Sequence, residues 1–246
     1  MRVAQSKRFS IRTLAVVLGI VVCLVMVISG QRMSQAQTIG WVATYRPNQV
    51  VAWASNTNFG ERVRQDANGM LVSNPMIVVI HETVSSADSA IRFFQTPHPD
   101  GSGAASYHAI IRQDGSIVYT VPFAYRAFGA GNSVFMGDRG LETVQTTASL
   151  PPSVNNFAYH FSLETPPDGN NNGDSHSGYT VNQYQSLAML VDYTKVPDSR
   201  VTFHRVVDRS GTRKDPRSFN DSFFGQTLYQ YRQARYQASH STTWVR

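Results

Sequence analysis

Five apolar residues, Met76 to Ile80, run without a break into His81, Glu82 and Thr83. Their number and β-branched content predict a strand, and a strand apolar along its whole length is a buried one. Similar strands are predicted over Tyr107–Arg112, Ser116–Val121, Ala158–Glu164 and Val201–His204. Asp114-Gly115, between the second and third, predicts a tight hairpin turn. Helices are predicted after Ser85 or Ser86, where either serine can cap ADSAIRFFQ, and after Thr180. There Gln183 completes a capping box, and Leu187, Leu190 and Val191 share one helical face. A last helix is predicted over Ser222–Gln237. Strands alternating with helices, plus one hairpin, give an α/β fold: a single domain with a central mixed β-sheet flanked by helices.

The N-terminus stands apart. Arg2, Lys7, Arg8 and Arg12 precede an uncharged apolar run of 17 residues, Thr13 to Ser29. That is the layout of an export signal. Ser34 and Ala36 are spaced like a signal-peptidase site, so residues 1–36 read as a signal peptide cleaved after Ala36. An uncleaved anchor is the rival reading, since spanning a bilayer takes roughly 17 to 25 residues. Residues 37–73 are polar and turn-rich and are expected to wrap the domain formed by 74–246. Residues 1–36 hold five of the 22 basic residues and no acidic one, which leaves 17 against 16, a net charge of +1, for the remainder. A nucleic-acid partner is therefore not expected, because such binders keep a basic surface on the folded domain. The single cysteine, Cys23, lies inside the apolar run. Cysteine nucleophiles and cysteine zinc ligands are thus excluded from the mature chain.

Two of the seven histidines, His81 and His204, fall at predicted strand ends, where an α/β sheet opens onto its ligand crevice. For either one alone, a hydrogen-bonded structural role is the simpler reading. Asp215 follows His204 through a polar, basic loop. Two imidazoles and a carboxylate give tetrahedral zinc three protein ligands and leave a fourth position for water.

Taken in order, IVVIHET (77–83), SYHAIIRQDGSIVYTVPFAYRAFGAG (106–131), HFSLE (160–164), TVNQYQSLAMLV (180–191) and FHRVVDRSGTRKDP (203–216) resemble type 2 N-acetylmuramoyl-L-alanine amidases. That family includes AmpD-like amidases, phage lysozyme-amidases and peptidoglycan recognition proteins, and the likeness covers roughly Asn74 to Phe223. It implies zinc (Zn2+) held by His81, His204 and Asp215. It also implies that Glu164 takes a proton from the nucleophilic water, and that Tyr107 with Lys214 or Arg213 steadies the oxyanion. His108 and Phe128 are the implied substrate contacts. The implied activity is hydrolysis of the amide between N-acetylmuramic acid and L-alanine of the peptidoglycan stem peptide.

The sequence departs from the family pattern in three places. Arg213 stands where AmpD-like enzymes place a lysine, with Lys214 next to Asp215; the interval from His204 to Asp215 is one residue longer; and Gly129 replaces the frequent histidine of a WHAG block. Glu82, pointing to the opposite strand face from His81, is expected to be structural or to support the metal ligands from behind rather than to be catalytic. His98, His160, His176 and His240 are expected to be surface or structural residues. A non-catalytic recognition module in the same groove is the alternative function, although it would ordinarily have lost a zinc ligand. The expected partner is peptidoglycan or a soluble muropeptide, with the membrane involved only if the N-terminus stays uncleaved. A monomer, secreted, periplasmic or cell-wall associated, is expected.

Overall fold

Strand β3, Ile77–Glu82, is buried at every position, as its unbroken apolar run requires. A computed structural model, describing residues 42 and 44–241, places it next to the edge of a six-stranded sheet of order β1-β5-β4-β9-β3-β10. The other strands are β1 (Gln49–Val51), β4 (Ala109–Ile111), β5 (Ile117–Tyr119), β9 (Ala158–Leu163) and β10 (Val201–Phe203). The β4–β5 pair is antiparallel, while β4–β9, β9–β3, β3–β10 and β1–β5 are parallel. The sheet is therefore mixed, and the hairpin supplies its antiparallel element. At the hairpin, Gly115 has φ +87°, and a Cβ there would stand 2.5 Å from the Tyr45 hydroxyl, so only glycine fits.

Helix α1 (Ala87–Gln95) is capped by Ser86, whose Oγ accepts the Ser89 N–H at 3.2 Å. Its buried face, Ala87, Ala90, Ile91 and Phe94, packs over one side of the sheet with Ile110 and Val118. Helix α2 (Val181–Thr194) starts in the capping box foreseen from Thr180 and Gln183. Its Leu187, Leu190 and Val191 cover the other side against Val78, Ile80, Phe161 and Leu163. A one-turn helix α3 (His204–Val207) follows β10, and α4 (Asp221–Ser241) packs beside α2.

The stretch before β3 holds more structure than its polar composition suggests. It adds β1 to the sheet edge, and β2 (Phe59–Glu61) pairs with β6 (Tyr125–Ala127). Neither short strand has the apolar pattern that makes a strand readable. A small hairpin, β7 (Phe135–Gly137) with β8 (Gly140–Glu142), lies apart from the main sheet. Among the described residues no helix is long and apolar enough to cross a membrane. The expected signal segment lies outside the described residues.

Candidate metal centre

His81 is the fifth residue of β3, and β10 pairs with β3 through Phe203 and Ile80. One residue further on, His204 leaves β10 level with His81 and opens α3. The loop after α3 returns Asp215 to the same place, tied down where Arg205 N–H donates to the Asp215 carbonyl at 2.9 Å. The Asp215–Pro216 peptide is cis. Ligand atoms of His81, His204 and Asp215 all lie within 4.8 Å of one another, and all three residues are buried. Asp215 Oδ2 is 3.0 Å from His204 Nδ1 and 3.3 Å from His81 Nδ1. His81 Nδ1 is buried without a hydrogen-bond partner, as expected of a nitrogen whose lone pair is meant for a metal. Two imidazole nitrogens and one carboxylate oxygen converging this way fit zinc.

The electrostatics agree with that fit. Burial pushes His81 down to about 4, so the ring is neutral near pH 7 and able to ligate. Burial alone would raise the Asp215 carboxyl, but its contacts with His204 and His81 overcome this and hold it well below the usual carboxylate range. The centre thus presents an anionic oxygen and a neutral imidazole.

A cavity of about 920 Å³ opens onto the cluster. Tyr107 lines it and stacks on His81, ring centroids 4.4 Å apart, with its phenol pushed far up by burial. Phe128, Arg213 and Lys214 also line the wall. The Lys214 ammonium lies 2.5 Å from Asp174 in the loop opposite. The structure therefore brings together His81, His204, Asp215, Tyr107, Phe128, Arg213 and Lys214.

It does not bring Glu164 or His108 to this cavity. Strand β9 ends at Leu163, and its pairing sets Ser162, not Glu164, beside His81. Glu164 lies past that end, where its two carboxylate oxygens accept the N–H groups of Ala87 at 2.8 Å and Gln113 at 3.0 Å. It caps α1 and fastens the hairpin. His108 is wholly buried behind the cluster, its Nδ1 accepting the His160 N–H at 3.0 Å, and burial pushes it down to about 3.

Two residues packed around the centre were not among the candidates drawn from the sequence. His160 meets the His81 ring, Nδ1 to Nε2 at 2.9 Å. Arg217 binds Glu82, which also accepts from Thr165 and Tyr179 and lies 3.1 Å from His176 Nε2. A histidine inside a predicted strand was the one clue to the first; its partner depends on which strands adjoin. Gly129 lines the cavity, and a Cβ on it would stand 2.5 Å from Cγ and Nδ1 of His160.

A model of the family described as N-acetylmuramoyl-L-alanine amidase matches residues 72–218. A crystal structure of a selenomethionine AmpD derivative is 23% identical, covers 75% of this chain and 96% of its own, and has a TM-score of 0.52. The solution structure of Citrobacter freundii AmpD is also 23% identical, covering 74% and 90% with a TM-score of 0.44. Pseudomonas aeruginosa AmpDH3, solved in complex with anhydromuramic pentapeptide, is 17% identical, covering 79% and 72% with a TM-score of 0.45. No curated protein matches the sequence.

Proposed function

This chain belongs to the N-acetylmuramoyl-L-alanine amidase family, which matches more than half of its length, and on that premise we propose that it is a zinc amidase cutting the bond between the lactyl group of N-acetylmuramic acid and L-alanine of the stem peptide. The observation that carries this reading is the buried convergence of His81, His204 and Asp215 at the floor of a large cavity. Zinc held there would supply a Lewis acid for the scissile carbonyl and lower the pKa of a water toward roughly 7.

The remaining work falls to the chain. Tyr107, kept protonated by burial and stacked on His81, offers its hydroxyl to the charge developing on the carbonyl oxygen. Arg213 and Lys214 add positive charge on the same wall, and Phe128 offers an aromatic surface to the glycopeptide. Glu164 is not assigned the proton, because both its oxygens hold backbone N–H groups elsewhere. Glu82, on the wall, is held by Arg217 and by the hydroxyls of Thr165 and Tyr179. The proton lost by the attacking water is therefore passed, through the water filling the cavity, to the departing L-alanine nitrogen, so that the amine leaves neutral. The charged and then apolar N-terminus supports export, and with it a substrate in the cell wall and a working protein of residues 37–246.

The test is mass spectrometry of purified peptidoglycan digested with the zinc-loaded protein. New L-alanine amino termini beside peptide-free glycan are expected. Sedimentation with the polymer without cleavage would transfer the reading to a recognition module.

A further inference from the structure

Resting on the metal site just described, we propose that His160 is a positioning residue that fixes which nitrogen of His81 faces the metal. His81 Nε2 and His160 Nδ1 stand 2.9 Å apart, and both residues are wholly buried, so water cannot replace either partner. A neutral imidazole carries one N–H, so one of these nitrogens donates and the other accepts. His81 Nδ1 is the nitrogen turned toward Asp215, and a ligating nitrogen must be bare. The His81 proton therefore sits on Nε2 and is donated to His160 Nδ1. His160 in turn carries its proton on Nε2, which has no hydrogen-bond partner. A buried donor left unpaired is destabilising. An apolar side chain would serve better at position 160 if packing were its only task, so Nδ1 has a use.

The surroundings hold that acceptor in place. His108 N–H donates to the His160 carbonyl at 2.8 Å, and His160 N–H donates to His108 Nδ1 at 3.0 Å. The His108 proton must then lie on Nε2, which donates to the Tyr125 carbonyl at 3.1 Å. The two rings lie nearly parallel, 9° apart. On the cavity side, Gly129 presses against the His160 ring so closely that it leaves no room for a Cβ. An outer partner that sets the tautomer and angle of a ligating histidine tunes affinity by about 10- to 100-fold.

The experiment measures zinc affinity of the full chain by competition with a chromophoric chelator, with circular dichroism to confirm folding. His160→Leu should weaken zinc binding roughly 10- to 100-fold. His160→Asn, whose Oδ1 can stand where Nδ1 stood, should recover most of that loss. Gly129→Ala, which displaces the ring without altering its chemistry, should also weaken binding. A folded His160→Leu protein with wild-type affinity overturns the proposal, and so does an Asn variant as weak as the Leu one. Should His160→Leu not fold, wild-type affinity in Gly129→Ala overturns it. A wild-type chain that binds no zinc overturns the metal site itself and this proposal with it, so the two failures are distinct.

Discussion

Arg217 grips Glu82 with two nitrogens, Nε 2.7 Å from Oε1 and Nη2 3.2 Å from Oε2, both side chains almost fully buried. The same guanidinium donates to the carbonyls of Gly169, Asn171 and Gly173. One wall of the cavity thus hangs from the residue next to His81 in β3. Removing one partner of such a buried pair strands a charge. Arg217→Leu should cost about 3–5 kcal/mol in urea denaturation, and it should raise KM as the loop loses its anchor.

Each member of the His81, His204 and Asp215 set supplies a converging ligand atom. Alanine at His204 or at Asp215 should remove bound zinc, read by elemental analysis, and hydrolysis with it. Hydrolysis retained in metal-stripped wild-type protein would contradict the zinc reading.

Glu164 gives the sharpest contrast between sequence and structure. Because it accepts two backbone N–H groups, Glu164→Ala should lower stability by about 1–3 kcal/mol. Its kcat should stay near the wild-type value, whereas loss of a general base costs 10²-fold or more, roughly, in rate. A chevron or melt paired with steady-state kinetics separates the two.

Stability of the metal-free protein should fall with acid through a defined window. Burial depresses His81 to about 4 and His108 to about 3, and holds His160 well below the ordinary value of 6.5. Between these values the unfolded chain binds protons that the folded chain refuses, so stability rises with pH there and falls as pH drops below about 6.5. Urea midpoints at pH 7 and pH 5 should differ accordingly. The difference should survive high salt, because burial is the main cause.

Much of the fold was legible because it rests on short-range rules. The run Met76–Ile80, the Asp-Gly turn, the cap at Ser86 and the box at Thr180 each act within a few residues, and each reappears close to its expected place. The resemblance drawn from ordered blocks also named the three residues whose side-chain nitrogen and oxygen atoms converge. The short strands β1 and β2 were not legible, since their partners β5 and β6, rather than their own composition, hold them in place.

By itself, then, the sequence determined the long apolar strands, the main helices and their caps, because periodicity and turn chemistry act along the chain, while the candidate ligands came from the resemblance of its ordered blocks. Only the tertiary structure decided which side chains meet. Strand β9 puts alternate residues on opposite faces, and its pairing with β3 sets Ser162 against His81, with His160 two residues earlier near enough to reach the ring. It leaves Glu164 beyond the strand end to cap α1. Register between distant strands fixes such contacts, and no interval counted along one chain contains it.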